Sequence, residues 1–366
     1  MAKRPLIFFL RKDIYTMNGQ IKINNRCIDF YHAVYIIAEM SANHNGDFDQ
    51  AVKILHAAKE AGADAVKLQT YTPDSITIKS DAPEFRINGT IWEGRVLYDL
   101  YSEAYMPWEW QPKLKEIAND LGLDLFSTAF DPTAVDFLEE MGVPVHKVAS
   151  FEIVDIPLIE KMARTGKPLI ISTGMATLAE IDEAVSAAKG AGASQIALLK
   201  CNSAYPAPLE EMNLRTIPHM AEGFGLPVGL SDHTLGIAAP VAAVTLGACI
   251  IEKHFTLSRD FPGPDSAFSI EPHELKAMVE AVRAAEKTLG KVCYGVSEKE
   301  AKSRVFRRSL FVVKDVKAGE VFTEDNVRSI RPGHGLPPKF LKEVLGKKAT
   351  CDIKRGTPLS WSHIGG

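Results

Sequence analysis

No stretch of this 366-residue chain approaches the ~18 uninterrupted apolar residues of a membrane-spanning helix, so no membrane anchorage is expected. Near the start, KRPLIFFLRKD carries an apolar run too short for a signal-peptide core, and it ends in charges instead of a cleavage site. Cysteine is scarce and scattered: Cys27, Cys201, Cys249, Cys293 and Cys351 form an odd set without a CxxC pair. That pattern excludes a disulfide framework and suits reduced thiols in a cytoplasmic protein. There is no GxGxxG after the first predicted strand, which argues against an open dinucleotide-binding sheet. The basic residues come without any motif that reads DNA or RNA, so no nucleic-acid partner is expected.

What is present is the composition of a globular protein, 46% hydrophobic and 24% charged. The length fits one large domain plus a small one. The net charge of −4 conceals an asymmetry, because the part from Ser297 onward carries +7 and the part before it −11. A basic module beside an acidic one suggests docking between the two or attraction of an anionic substrate.

From Val34 the chain alternates short apolar runs with helix-length amphipathic segments. Strands are predicted at residues 35–39, 65–69, 124–127, 145–149, 168–172, 196–200, 228–230 and 249–253, apolar along their whole length as buried parallel strands are. Residues 50–61 place Ala51, Ile54, Leu55, Ala58 and Ala61 at helical spacing before Gly62, and residues 272–289 repeat the pattern. Thr177 is the expected N-cap of another helix. Eight such units are the count of a (β/α)₈ TIM barrel, here assigned to residues 34–290. Residues 1–33 are read as an N-terminal extension with Met17 as an alternative start, followed by a small hairpin. Residues 70–106 form an insertion dense in aromatics, either a lid over the catalytic face or a packing surface for a partner subunit. A linker is expected at 291–304 and a β-rich module at 305–366, where DVKAG at Asp315 and DIKRG at Asp352 recur 37 residues apart.

The stretch 229–257 holds two of these strands, each ending in a histidine-bearing polar cluster, Ser231-Asp232-His233 and Glu252-Lys253-His254. Neighbouring parallel strands would bring both imidazoles to one edge, where they could hold Mn²⁺, Fe²⁺ or Zn²⁺ or simply serve as hydrogen-bonded interior residues. The other strand ends are polar as well: Glu39 with Asn43 just beyond, Lys67, Gln69, Thr128, Lys147, Ser150, Glu152, Ser172, Ser203 and Tyr205. Gathered on one face, the lysines and hydroxyls suit a phosphate and a carboxylate, and the acids suit proton transfer.

The motifs IAEMSANHNGDFDQA, DAVKLQTYTPD, FSTAFD, KVASFEIVDIPLI, IISTGMATLAEI, LLKCNSAYPAP, GLSDHTLG, EKHFTL and GPDSAFSIEP resemble the sialic acid synthase family. The tail around RPGHGLPP resembles its C-terminal antifreeze-like (SAF) module. Within the family, LQTYTPD, the tryptophan-rich insertion and SFEIVDIPLI are similar to the pseudaminic acid synthase subgroup. The resemblance implies condensation of phosphoenolpyruvate with the open-chain aldehyde of an N-acetylated amino sugar, here 2,4-diacetamido-2,4,6-trideoxy-β-L-altropyranose, giving a nine-carbon 2-keto acid and phosphate by C–O cleavage. It also implies that His233 and His254 hold a divalent metal, Mn²⁺ with Mg²⁺ or Co²⁺ as alternatives. Lys67, Thr128, Lys147, Ser150, Ser172, Ser203 and Ser231 would surround phosphoenolpyruvate. Glu39, Glu152 and Asp232 would serve the chemistry, Glu152 by activating water or positioning the sugar and Asp232 by supporting the first histidine or the sugar. Asn43, Gln69, Tyr205 and Arg331 would meet the sugar, with Arg331 arriving from the partner subunit of a domain-swapped homodimer. An apolar pocket near C6 could draw on Phe151, Ile153 or the insertion. Two alternatives share the barrel: a synthase for N-acetylneuraminate or legionaminic acid, and an aldolase with Lys67 or Lys147 as Schiff-base nucleophile. A scaffold or ice-binding role leaves the polar strand ends without a purpose.

Overall fold

The computed structural model describes residues 19–366, and the extension with its alternative start at Met17 lies outside the described residues. Residues up to Lys291 form one compact unit and Val292–Gly366 a second.

The first unit opens with an antiparallel hairpin, β1 (Ile21–Ile23) and β2 (Arg26–Ile28). Eight parallel strands then close into a barrel: β3 (Tyr35–Glu39), β4 (Ala65–Thr70), β5 (Asp124–Ala129), β6 (His146–Val148), β7 (Leu169–Ser172), β8 (Ile196–Cys201), β9 (Val228–Asp232) and β10 (Ile250–His254), with β10 pairing β3 to complete the circle. The predicted (β/α)₈ barrel is the observed fold, with strand ends displaced by one or two residues. Almost every strand residue is buried, because the interior and the surrounding helices cover both faces.

Helix Phe48–Ala61 shows how local chemistry sets the boundaries. The Asp47 side chain accepts hydrogen bonds from the amides of Asp49 and Gln50, and Gly62 ends the helix at φ +91°. A side chain at Gly62 would be strained there, and its Cβ would lie 3.2 Å from Val279 Cγ1. Thr177 caps helix Leu178–Gly190 through a reciprocal pair with Glu180.

The hairpin seals the end of the barrel opposite the functional strand ends. Ile21, Ile23 and Ile28 are buried, and the polar residues bond to groups at the start of barrel strands. Asn24 Nδ2 donates to Asp124 Oδ1 at 2.6 Å, and Arg26 Nη1 lies 2.5 Å from Asp64 Oδ1. The insertion folds into short helices, Pro73–Ile76 and Leu97–Ala104, with an isolated bridge between Arg86 and Val96.

In the second unit β11 (Ser309–Val312) pairs antiparallel with β12 (Val327–Ile330) over a small core that includes Leu310, Val316, Phe322 and Ile353. The stretch read as a linker contains helix Glu298–Ser303, capped by Ser297 and Glu300. The two halves of the sequence duplication clasp each other: Lys317 Nζ lies 2.7 Å from Asp352 Oδ2, and Lys354 Nζ 2.8 Å from Asp315 Oδ2. Each aspartate also accepts a backbone amide from the opposite half, Asp352 from Ala318 and Asp315 from Arg355. Among the described residues, no helix is long and apolar enough to cross a membrane. All five cysteines are free thiols.

Candidate active site

Strand register aligns the polar ends. His254 of β10 pairs with Glu39 of β3, and Glu39 with Lys67 of β4. Thr128 of β5 stands between Gln69 of β4 and Lys147 of β6, while Ser231 of β9 is beside Cys201 of β8. Apart from Lys67, in the middle of β4, these residues sit at or near the carboxyl end of their strands, the end where barrels carry their chemistry.

Two buried lysines define the electrostatics. Lys67 Nζ lies 3.0 Å from Glu39 Oε2 and 3.0 Å from Glu252 Oε1, and Glu252 also accepts the Ser231 hydroxyl at 3.1 Å. Burial disfavours the charge on Lys67, but Glu252 and Glu39 more than offset it and hold its pKa above the ordinary value. Lys147 Nζ donates to Ser172 Oγ at 2.6 Å and to the Val148 carbonyl at 2.8 Å. With no carboxylate in contact, burial brings Lys147 down to about 8. Ser150 Oγ accepts the Gly174 amide at 3.1 Å, and Ser203 Oγ lies 3.8 Å from Cys201 Sγ. Only glycine fits at 174, because a Cβ there would lie 2.2 Å from Ser203 Oγ and 2.7 Å from Ser150 Oγ. Thr128 Oγ1 is buried with no protein partner. Two ammonium groups, hydroxyls and an unspent donor form a suitable cradle for an anion with several oxygens.

The acids differ in environment. Burial raises Glu39 to about 7 despite Lys67, with Glu252 adding to the rise, and burial likewise raises Glu152 to about 7. Glu152 Oε2 has no protein partner. Asp232 is fully committed: it accepts the Thr234 amide at 3.1 Å, the Thr234 hydroxyl at 3.2 Å and Lys253 Nζ at 2.5 Å. Its carboxylate therefore fixes the turn that carries His233. The Asn43 amide nitrogen is likewise engaged, donating to the Phe255 carbonyl at 3.1 Å and to Ser269 Oγ at 2.9 Å, while its Oδ1 is buried with no protein partner. Gln69 Nε2 reaches Glu39 Oε1 at 3.2 Å and Ser41 Oγ at 2.8 Å.

The two histidine rings lie 5.3 Å apart. His233 Nδ1 is 2.7 Å from the Asn202 carbonyl, which can only accept, so this nitrogen carries the proton and Nε2 is left for a ligand. Burial opposes charge on His233 while Cys201 and the Asn202 carbonyl draw its pKa upward, so a bound cation would compete with protons for this ring. His254 is held neutral by burial and by His233, and its Nδ1 is buried with no protein partner. A pair of imidazoles with one buried, unpartnered nitrogen fits a borderline divalent cation. A separate cluster, Glu271, His273 and Glu274, brings donor atoms within 4.8 Å of one another at the start of helix Pro272–Leu289, but Glu274 is taken by Arg259 at 2.5 Å.

Aromatic side chains stand around the histidines. The Tyr205 ring lies 4.3 Å from that of His233, tilted by 43°, and Phe268 lies 5.0 Å from His254 and 5.1 Å from Tyr205. Trp92 from the insertion reaches both, 5.8 Å from Tyr205 and 6.3 Å from Phe268. Ile153 is buried in the barrel core, Phe151 is exposed, and Arg331 belongs to the C-terminal unit, where it is exposed.

Three participants had no role assigned from sequence. Glu252 stands two residues before His254 on one strand, so alternation alone puts it on the same face. Asp265, half-buried in the loop after β10, accepts Ser41 Oγ at 2.5 Å, and its only sequence signal was the GPD motif. Trp92 lies in an irregular loop where no periodicity points to it.

Residues 54–294 match the NeuB family profile, and residues 307–365 match the SAF domain. The chain is similar to the pseudaminic acid synthase of Helicobacter pylori, 49% identical over 90% of this chain and 97% of the relative. It is 39% identical to the N,N'-diacetyllegionaminic acid synthase of Legionella pneumophila, over 90% of this chain and 94% of the relative. The crystal structure of the spore coat polysaccharide biosynthesis protein SpsE of Bacillus subtilis is similar with a TM-score of 0.66 at 34% identity, covering 95% of this chain and 99% of that one. Matched along most of its length in sequence and in fold, the chain belongs to the NeuB family.

Proposed function

We propose that the chain condenses phosphoenolpyruvate with the open-chain aldehyde of 2,4-diacetamido-2,4,6-trideoxy-β-L-altropyranose, taking up water and releasing phosphate and pseudaminic acid. The observation that carries the reading is the buried Lys67–Lys147 cradle beside a histidine pair and a protonatable Glu39. The higher identity to the pseudaminic than to the legionaminic acid synthase supports the choice of sugar.

In this reading Lys67 and Lys147 neutralise the carboxylate and phosphate of the substrate, with Thr128, Ser150, Ser172, Ser203 and Ser231 donating to the remaining oxygens. A divalent cation held by His233 and His254, Mn²⁺ in our reading, would polarise the sugar aldehyde. Attack by C3 of the enol phosphate on that carbonyl leaves positive charge at C2, which the Glu39 carboxylate stabilises. Glu152 accepts a proton from the water that adds to C2 and returns it to the sugar oxygen left negative by the attack of C3. The tetrahedral centre then collapses to the ketone, its hydroxyl proton leaving with phosphate as the C–O bond breaks. Asp232 holds His233 in place through the turn it anchors. The protein would work in the cytoplasm as a domain-swapped homodimer, with Arg331 of the partner subunit contacting the sugar. The opposite charges of the two modules and the exposure of Arg331 support that arrangement.

Phosphoenolpyruvate labelled with ¹⁸O in its bridging oxygen tests the chemistry. The label should leave in phosphate, and only when the sugar is present. Sugar-independent release, or retention of the label in the keto acid, contradicts the reading. Borohydride trapping of the protein with pyruvate separates it from a Schiff-base aldolase, which alone would form a covalent adduct.

A further inference from the structure

The insertion brings one aromatic ring, Trp92, against Tyr205 and Phe268, the rings that flank the histidine pair. Trp92 is part-buried although Ile91 and Glu93 on either side are exposed. Its indole N–H donates to the Pro264 carbonyl at 3.0 Å, which ties the insertion to the loop that carries Asp265. With that donor spent, the indole offers a ligand only carbon.

We propose that Trp92 determines sugar specificity, its ring forming the wall against which the deoxygenated C6 end of the sugar packs. The inference rests on the proposed reaction, because it takes the aldehyde end to lie at His233 and His254. The centroid separations through Tyr205 place the Trp92 ring no more than about 10 Å from that of His233. A six-carbon chain spans about 6 Å from C1 to C6, so a sugar anchored at the histidines reaches the indole with its far end. A methyl group at C6 gives up no hydrogen bond on entering such a place. A hydroxymethyl group would surrender its water partners to a wall whose one donor is already engaged. Of the other apolar candidates, Ile153 is sealed in the core and Phe151 is largely exposed, so neither offers a comparable enclosing surface.

The test compares the wild-type protein with Trp92→Phe, Trp92→Ala and Trp92→Gln, using the 6-deoxy diacetamido sugar and its 6-hydroxy counterpart of the same stereochemistry, with phosphate release as readout. One misplaced carbon or hydroxyl in an apolar site is worth about 10- to 200-fold in kcat/KM. Trp92→Ala should therefore raise the sugar KM by about tenfold or more and cut the 6-deoxy preference at least about fivefold, with the phosphoenolpyruvate KM within about twofold of wild type. Trp92→Phe should keep most of the preference, and Trp92→Gln, which offers the hydroxyl a partner, should shift it towards the 6-hydroxy sugar. An unchanged preference in Trp92→Ala or Trp92→Gln overturns the proposal, whatever happens to kcat. Should Trp92→Ala not fold, the contrast between Trp92→Phe and Trp92→Gln decides in its place. A wild-type protein that turns over neither sugar overturns the proposed reaction and this wall with it, whereas turnover with an unmoved preference overturns the wall alone.

Discussion

Lys67 and Glu252 form a buried ion pair at 3.0 Å, and Glu39 competes for the same ammonium from its other side. Burial raises the pKa of both glutamates, but Lys147 and Lys67 together hold Glu252 well below the usual range while Glu39 rises to about 7. One acid is thus fixed as an anion and the other is free to exchange a proton.

Glu252→Gln should therefore act on two groups it does not replace. Removing its charge lowers the pKa of Glu39, which it had raised, and that of Lys147, whose charge it had supported. Both limbs of the pH–rate profile should move to lower pH. Loss of one partner from a buried ion pair should also destabilise the fold by about 3 kcal/mol, near the lower end of the usual range because Glu39 still pairs with Lys67. Urea unfolding and a pH series check the two effects, and unmoved limbs would show that Glu252 does not control this site.

Lys147 sets the alkaline limb of the wild-type profile. It is charged below about 8 and loses its proton above, so kcat/KM for phosphoenolpyruvate should fall above that pH by up to about tenfold per unit. Lys147→Arg, which stays charged, should abolish this limb even where its overall rate is lower. Persistence of the limb in that variant would assign it to another group.

The predictions turn on groups that were unequally legible in the sequence. The barrel was readable because each strand is an apolar run closed by a turn, and buried parallel strands leave that signature whatever their sequence context. The histidine pair was readable for the same reason, since each stands at the end of such a run. Side-chain contacts between segments far apart in sequence were not: nothing local says that Asp232 accepts Lys253 of the neighbouring strand, or that the Asn43 amide nitrogen donates to Phe255 and Ser269. Trp92 was hidden for another reason, because an irregular loop has no period from which a side-chain direction can be read. Within the stretch expected as a linker lies the short helix Glu298–Ser303, whose Ser297–Glu300 capping box is a local signal visible in the sequence.

Removal of the metal should abolish turnover. Chelation with EDTA should eliminate phosphate release and added Mn²⁺ should restore it, while His254→Ala should lower kcat/KM more than about 100-fold, exceeding the usual loss from a residue that only supports a ligand. Mn²⁺ binding followed by electron paramagnetic resonance gives a readout independent of activity. Because protons compete with the ion for His233, affinity should weaken as pH falls. Full activity in excess EDTA would remove the metal from the account.

Arg331→Ala should raise the KM for the sugar about tenfold or more while leaving that for phosphoenolpyruvate within about twofold, as loss of a charged hydrogen bond to one substrate requires. Mixing this variant with a Lys147→Ala protein tests the swapped dimer, since hybrid dimers would regain one intact site. An unchanged sugar KM contradicts the assigned contact, and mixing without recovery contradicts the swap.

The most direct measurement is kcat/KM for phosphate release with phosphoenolpyruvate and each of three sugars in parallel: the diacetamido-trideoxy-altrose isomer, its legionaminic counterpart and N-acetylmannosamine. The account predicts that the altrose isomer is preferred by at least about tenfold, with a product whose mass is that of pseudaminic acid. An equal or greater kcat/KM with either of the other sugars would contradict it.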